Sequence, residues 1–232
     1  MTVVFRFSFS IFSFAMYSLY PYPIFRRIFF PILKLFIKQV KGLENLPEKG
    51  PYIIAANHGG SLDGYFLASL VIPRIKGKVH FFARQAKYGS FLGNWIARHW
   101  AGCILVDPNS KAKTVEEATN FLKKKRVVAI FPEGVSHHDN CLQEGKTGLA
   151  RIVIRNKVSV IPVGISTNMP TVFEKAFFQT FFLLKGRISF SIGEPITFYE
   201  YYQKPADKEL LKEITRRIMK EIGKLVDLPY NY

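Results

Sequence analysis

The chain has 232 residues, of which 48% are hydrophobic and 15% aromatic, enough to form a full core within one domain. Its 33 Lys and Arg against 17 Asp and Glu give a formal net charge of +16, which favours an anionic partner: nucleic acid, a phospholipid surface or an acidic protein. Only two cysteines are present, Cys103 and Cys141, without C-x-x-C spacing. This argues against a disulfide-rich secreted scaffold and indicates a reducing compartment.

The N-terminal 41 residues form an aromatic and basic segment unlike the rest of the chain. Its apolar piece from Phe7 to Tyr20 is shorter than the ~20 residues that span a hydrocarbon core, and no signal-peptide cleavage pattern follows. Phe25 to Val40 sets Arg and Lys among Ile, Leu and Phe, which predicts a helix lying in a membrane interface. A helix that caps the core is the alternative. We therefore expect residues 1–41 to anchor the protein at the cytoplasmic face of a membrane, peripherally or monotopically, ahead of a domain over residues 42–232.

From Gly50 onward, apolar β-prone runs alternate with helical stretches. The runs lie at 52–56, 78–83, 103–106, 127–131, 159–165 and 187–193, and the helical stretches near 62–72, 90–100, 112–124, 145–156 and 207–226. This alternation predicts an α/β fold: a single domain with a mixed, largely parallel sheet covered by helices.

Residues 57–63 read N-H-G-G-S-L-D, between the strand predicted at 52–56 and the helix that follows. Asp63 can fold back to accept a hydrogen bond from one ring nitrogen of His58, which leaves the other nitrogen as a base for a hydroxyl proton. Alternatively, Asp63 only complements the dipole of the helix in its first turn, and His58 is an ordinary loop histidine. The spacing taken alone leaves both interpretations open.

A second unusual stretch, Phe131-Pro132-Glu133-Gly134, also follows a predicted strand. Functional loops of α/β sheets gather at the carboxyl ends of the strands. The two stretches are therefore expected to form one site.

These blocks, in this order, resemble the signature of the glycerolipid acyltransferase family typified by 1-acylglycerol-3-phosphate acyltransferase. The resemblance runs from about Gly42 to Ile196. It is carried by Asn57-His58-x4-Asp63, Phe131-Pro132-Glu133-Gly134, Val160-Ile161-Pro162-Val163-Gly164 and Ile192-Gly193-Glu194-Pro195-Ile196.

The resemblance implies transfer of a fatty acyl group from acyl-CoA or acyl-ACP, the acyl thioester of acyl carrier protein, to a hydroxyl of a glycerol-based acceptor. The thioester is a co-substrate, and no other cofactor is implied. His58 corresponds to the general base and Asp63 to its orienting carboxylate, so that neither cysteine is needed as a nucleophile. Asn57, Glu133 and Gly134 correspond to positions that bind substrate.

Two arginines of the family pattern are absent. The family's second block begins at a glycine and ends in Asp-Arg, whereas the corresponding stretch here runs from Gly102 to Asp107-Pro108. The family's third block, which contains Phe-Pro-Glu-Gly, commonly continues Thr-Arg-Ser, whereas this chain has Val135-Ser136-His137. Arginine is the side chain suited to bidentate phosphate binding. We expect other basic side chains to contact phosphate instead: Arg84, Lys87, Lys146, His137 or His138.

The acceptor therefore stays open among a lysophospholipid of the lysophosphatidic acid type, glycerol 3-phosphate and another acyl acceptor. A catalytically inactive member that binds lipid or acts as a membrane scaffold is the remaining alternative.

Other partners are not indicated. The sequence has no helix-turn-helix, zinc or RNP-like pattern and no nucleotide-binding glycine motif, so nucleic acid and nucleotides are not expected. Adjacent His137 and His138 in a loop point apart, so no metal site is expected. The expected partners are an anionic phospholipid membrane and the acyl donor, while the oligomeric state is unknown.

Overall fold

The structure, a computed structural model, describes residues 25–84, 94–100, 102–107 and 109–232. The strands of this part are β1 (Ile37–Lys41), β2 (Tyr52–Ala56), β3 (Val79–Arg84), β4 (Ile104–Val106), β5 (Val127–Ile130), β6 (Val160–Thr167) and β7 (Ile188–Ile192). They form one sheet in the order β1-β7-β6-β2-β5-β3-β4. Neighbouring strands run parallel except β6 and β7, which are antiparallel. The predicted mixed, largely parallel sheet is thereby confirmed.

Helices cover both faces of the sheet. The helices are α1 (Phe30–Lys34), α2 (Asp63–Ile75), α3 (Lys111–Lys123), α4 (Gly148–Asn156), α5 (Phe173–Phe181) and α6 (Lys208–Val226). Buried side chains of α1, α2 and α5 pack on one face of the sheet, and those of α3, α4 and α6 on the other. Shorter helical turns lie at Phe25–Phe29, Leu43–Asn45, Ile96–Trp100 and Tyr199–Tyr201.

The two central strands β2 and β5 explain the position of the predicted site. Every residue of β2 is buried, with Ile54 and Ala56 facing one core and Ile53 and Ala55 facing the other. Burial on both faces is why this strand reads as a continuous apolar run. β2 and β5 are parallel neighbours, so the loops that leave their carboxyl ends emerge at the same edge of the sheet.

The helix predicted to continue to Val40 ends at Lys34, and this part of the prediction is wrong. Ile37–Lys41 instead forms edge strand β1, which pairs in parallel with β7. Phe30, Leu33 and Phe36 are buried in the core. Residues 30–41 thus pack on the domain that was predicted to begin at residue 42.

Several expectations lie outside the described residues, among them the anchoring role of residues 1–24 and the start of the helix predicted near 90–100. Within the residues that were described, no helix combines the length and the apolar character needed to cross a bilayer. Helix α5 was not predicted at all.

Candidate active site

The loops after β2 and β5 are joined through the main chain of His58. The His58 N–H donates to Oε1 of Glu133 at 3.0 Å, and the His58 carbonyl accepts from the N–H of His137 at 3.0 Å. The two stretches singled out in the sequence therefore meet at one place.

His58 and Asp63 form a hydrogen-bonded pair within the first of these loops. Nδ1 of His58 lies 3.1 Å from Oδ2 of Asp63, and the same oxygen accepts the Gly60 N–H at 2.8 Å. A carboxylate acceptor assigns the proton to Nδ1 and leaves the lone pair on Nε2. No hydrogen bond joins Nε2 to another described residue, and the His58 side chain is 20% exposed. The imidazole can therefore meet a hydroxyl from the solvent side.

Asp63 is the first residue of α2 and is fully buried. Burial raises the pKa of its carboxyl, while the hydrogen bond and charge of His58 and the amides of Gly60 and Gly59 act in the opposite direction. Its second oxygen, Oδ1, has no hydrogen-bond partner in the described part of the chain. A buried carboxylate of this kind interacts strongly with a neighbouring imidazolium, because little water screens the pair.

Phe131 fixes the plane of the His58 ring. The two rings stack with centroids 4.2 Å apart and planes inclined by 16°, and Phe131 stacks in turn on Phe81 at 6.4 Å. The sequence placed Phe131 in the third block but gave it no role. Its position at a strand exit was the one available signal.

Glu133 is buried, and the protein's own donors engage both of its oxygens. Oε1 accepts from the His58 N–H. Oε2 contacts Nε2 of His137 and accepts the N–H of Gln143 at 2.8 Å. The carboxylate predicted to bind substrate thus lies where it holds the main chain of His58, and His137 faces this carboxylate.

Asn57 is also buried and pairs with a neighbouring strand. Its Nδ2 donates to the carbonyl of Ile165 at 2.9 Å, and its Oδ1 accepts the N–H of Ile165 at 2.7 Å. This side chain extends the pairing of β2 with β6 beyond Ala56. Its amide therefore aligns the start of the loop that carries His58.

Lys146 brings a positive charge to the second loop. Gly134 has φ +74°, and a Cβ added there would lie 2.6 Å from Nζ of Lys146. The left-handed backbone favours glycine here, and the end of the Lys146 side chain occupies the space beside it. The main-chain N–H of Lys146 donates to the carbonyl of Pro132 at 3.0 Å.

The other basic candidates are placed to different degrees. Arg84 is exposed at the carboxyl end of β3, the neighbour of β5, and so lies at the same edge of the sheet. Lys87 and Pro108 lie outside the described residues. Nε2 of His138 lies 2.9 Å from the carbonyl oxygen of Met169, on the loop after β6.

The glycine amides of the two loops are used within the protein. The Gly60 N–H is bound to Asp63, and the Gly134 N–H donates to the carbonyl of Phe131 at 3.0 Å. Neither is free to hold a developing oxyanion. In the second loop, the ammonium group of Lys146 lies beside Gly134 and is a candidate to stabilise this negative charge instead.

Cysteine and metal chemistry find little support in the described part of the chain. Burial raises the pKa of the Cys103 thiol to about 11, which keeps it protonated at neutral pH. Among the residues described, no group of three or more His, Cys, Asp or Glu side chains converges as metal ligands would.

The part of the chain that carries His58 and Asp63 matches a known protein family. The sequence profile of the Acyltransferase family matches residues 38–166. The chain belongs to this family.

The chain is also similar to individual proteins named 1-acyl-sn-glycerol-3-phosphate acyltransferase. It is 29% identical to the Saccharomyces cerevisiae protein over 158 residues, covering 64% of this chain and 50% of that protein. It is 25% identical to the Bacillus subtilis protein over 190 residues, covering 81% of this chain and 87% of that protein. The chain thus spans about half the length of the yeast relative.

A solved structure shares the fold. The crystal structure of the 1-acyl-sn-glycerophosphate (LPA) acyltransferase from Thermotoga maritima superposes with a TM-score of 0.59 at 18% sequence identity, covering 97% of this chain and 90% of that one. At this identity the likeness concerns the fold alone.

Proposed function

We propose that this chain transfers a fatty acyl group from acyl-CoA or acyl-ACP to the hydroxyl of a lysophospholipid acceptor of the lysophosphatidic acid type, in phospholipid biosynthesis. The observation that carries the proposal is the hydrogen bond from Nδ1 of His58 to the buried Asp63, which leaves Nε2 available as a base. Family membership supports the reaction class, and the names of the relatives support the acceptor class.

The reaction needs no acyl-enzyme. Nε2 of His58 accepts the proton of the acceptor hydroxyl as its oxygen attacks the thioester carbonyl carbon. The tetrahedral intermediate then expels the thiolate, the C–S bond breaks, and the imidazolium returns the proton to sulfur. General-base assistance of this type contributes typically ~10²–10⁴ in rate.

Asp63 supports this cycle in two ways. Its Oδ2 fixes the tautomer and orientation of the ring, and its negative charge stabilises the imidazolium that forms after proton transfer. Phe131 keeps the ring from rotating out of line. Each of these contacts is already present in the structure, as preorganisation requires.

Lys146 and Arg84 are the described cations that we assign to the acceptor phosphate, with Lys87 as a further candidate. A lysine ammonium is a point charge and lacks the fork of an arginine, so Lys146 grips phosphate with less geometric selectivity. This supports an acceptor site that tolerates more than one phosphate-bearing headgroup, including glycerol 3-phosphate as the second candidate.

A lipid acceptor also supports the proposed membrane association at the cytoplasmic face. The basic surface of the chain suits an anionic phospholipid bilayer. It equally suits the acidic acyl carrier protein and the polyanionic coenzyme A as donors.

The experiment that tests the proposal is a matrix of acceptors and donors read by lipid mass spectrometry. Lysophosphatidic acid, other lysophospholipids and glycerol 3-phosphate are each offered with acyl-CoA and with acyl-ACP. We expect an acylated product with lysophosphatidic acid and its loss, by ~10²-fold or more, in His58→Ala. An unchanged rate in His58→Ala would refute the mechanism. No product from any pair would instead favour the inactive, lipid-binding alternative.

A further inference from the structure

An apolar surface is exposed on the same side of the sheet as α2. It consists of the outer face of α1 together with α5 and the loop from α5 to β7, and we call it the aromatic patch. Its most exposed large side chains include Leu35, Phe177, Phe178, Phe182, Leu183 and Leu184. Phe182 is 67% exposed and Leu35 77%. Contiguous apolar surface of this kind is uncommon on a freely soluble face.

Ring contacts join the two parts of the patch. Phe181 of α5 packs against Phe36 with centroids 5.4 Å apart and against Phe29 at 6.2 Å. Phe178 and Phe182 stack on each other at 5.3 Å. These contacts make α1 and α5 neighbours, so that their exposed faces lie on the same side of the domain.

The charge around the patch is strongly positive. Residues 27–38 and 173–187 contain a single carboxylate, Glu174, against six exposed cations. None of the six makes an ion pair with a described residue, although Arg187 donates to the carbonyls of Leu184 and Gly186. The cations are Arg27, Lys34, Lys38, Lys175, Lys185 and Arg187. Apolar anchors edged by Lys and Arg fit a bilayer that carries anionic headgroups.

A row of aromatic rings leads from the patch to the first turn of α2. The ring centroids of Phe177 and Phe173 lie 6.1 Å apart, and those of Phe173 and Tyr65 lie 6.2 Å apart. Tyr65 stands two residues after Asp63 in the first turn of α2. The loop that leads into α5 also touches the catalytic loop, since the Ser61 N–H donates to the carbonyl of Pro170 at 3.3 Å.

We propose that the aromatic patch docks on an anionic phospholipid membrane, with α5 lying in the plane of the interface. The docking stands on the patch itself and does not depend on the proposed function. Residues 1–24 precede the helical turn Phe25–Phe29 that leads into α1, and their aromatic sequence suits the same bilayer.

Tryptophan reporters in the full chain test the docking without any substrate. Phe182→Trp places a reporter in the patch. Tyr199→Trp places one at a residue that is 72% exposed and belongs to a turn packed with the opposite core. Wild type supplies the background of Trp95 and Trp100. On vesicles of phosphatidylcholine and phosphatidylglycerol, we expect blue-shifted emission at position 182 and its quenching by brominated lipid, with neither at position 199.

The other occupants give different results, and each would overturn the proposal. If residues 1–24 cover the patch, the emission of the Phe182→Trp variant is already blue-shifted before vesicles are added and is then unaffected by brominated lipid. If the patch is buried between two copies of the chain, the emission depends on protein concentration, without lipid. Equal responses at positions 182 and 199 would show that the patch has no special part in binding.

A loss-of-binding variant complements the reporters. The triple change Phe178→Ser, Phe182→Ser and Leu183→Ser removes three exposed side chains, and Tyr199→Ser is the matched control. We expect the vesicle partition coefficient of the triple variant to fall about tenfold or more while its melting temperature stays near that of wild type. His58→Ala should bind vesicles as wild type does, which separates failure of docking from failure of acyl transfer. Unchanged partitioning of a folded triple variant would refute the docking surface.

Discussion

At the scale of single residues, two opposing effects act on the carboxyl of Asp63: burial disfavours its charged form, and its hydrogen bonds favour it. Its burial is unfavourable for a carboxylate, and its hydrogen bonds with His58 and Gly60 offset this only in part, because Oδ1 lacks a partner among the described residues. The net effect raises the pKa of Asp63. Perturbed pKa values cluster at functional sites, which supports the proposed role of Asp63.

Asp63→Asn should lower the rate of acyl transfer by about 10²–10⁴-fold. A neutral Asn side chain cannot stabilise the imidazolium, and the charged oxygen that accepts from both the His58 ring and the Gly60 N–H is lost. Initial rates with labelled acyl donor measure this effect. Glu144→Gln, an exposed acid-to-amide change in the loop after β5, serves as the control and should keep the wild-type rate.

Asp63→Asn should also change the free energy of unfolding in a pH-dependent manner. Because the pKa of Asp63 is raised in the folded state, its protonated carboxyl stabilises the fold. This contribution is complete below the ordinary Asp pKa of about 3.9 and is lost as the pH rises through the pKa of folded Asp63. Asn does not titrate. The urea midpoint of Asp63→Asn relative to wild type should therefore rise with pH across that window, and a difference independent of pH would contradict it.

We expect Glu133 to act as a positioning residue, because both of its oxygens are engaged by the protein itself. In Glu133→Gln the NH₂ group must face either the His58 N–H or the Gln143 N–H, which leaves a donor opposite a donor in both orientations. We expect a loss of about 1–3 kcal/mol in the free energy of unfolding and a lower kcat with little change in KM. Denaturant melts and steady-state kinetics measure both. A raised KM with unchanged stability would show instead that Glu133 binds substrate.

At the scale of elements, the central strands were predictable and the edge strand β1 was not. β2 and β5 are buried on both faces, so their apolar runs are continuous and locally legible. Ile37–Lys41 follows a sequence with helical spacing of apolar residues, and it becomes a strand because β7 offers a partner more than a hundred residues away. Non-local pairing of this kind overrides local preference.

The site shows the same division. The pairing of His58 with Asp63 follows from local spacing across one strand-to-helix turn. Asn57 depends on a contact with Ile165 of β6, and Glu133 depends on the main chain of His58 in the loop after β2, which no local pattern reveals. Residue types at the site could therefore be identified from the sequence, but the division of labour between substrate and main chain could not.

Helix α4 ends in a way that leaves stability unused. Lys157 follows the helix with φ +51°, and its N–H donates to the carbonyl of Val153 at 2.8 Å. A left-handed backbone disfavours side chains with a Cβ, and glycine is the usual residue there. Lys157→Gly should raise the free energy of unfolding by about 0.5–1 kcal/mol. Urea melts check this, with Lys157→Ala as the control that should gain nothing.

At the scale of the whole molecule, the N-terminal segment is divided between two environments. Residues 30–41 belong to the domain, because Phe30, Leu33 and Phe36 are buried and β1 pairs with β7. The exposed side of α1 belongs to the aromatic patch. A segment that closes the core with one face and presents apolar side chains with the other links the fold directly to the proposed membrane surface.

Deletion of residues 1–24 and deletion of residues 1–38 should therefore have different effects on the stability of the fold. Deleting 1–24 leaves every described contact of α1 and β1 in place, so cooperative unfolding should persist with a similar midpoint. Deleting 1–38 removes three buried aromatic or aliphatic side chains, each contributing roughly 1.5–3 kcal/mol, and part of the pairing with β7. The sum approaches the 5–15 kcal/mol that stabilises a typical domain. Calorimetry and solubility of the two truncations should separate sharply, and equal behaviour would mean that residues 25–38 are not part of the folded core.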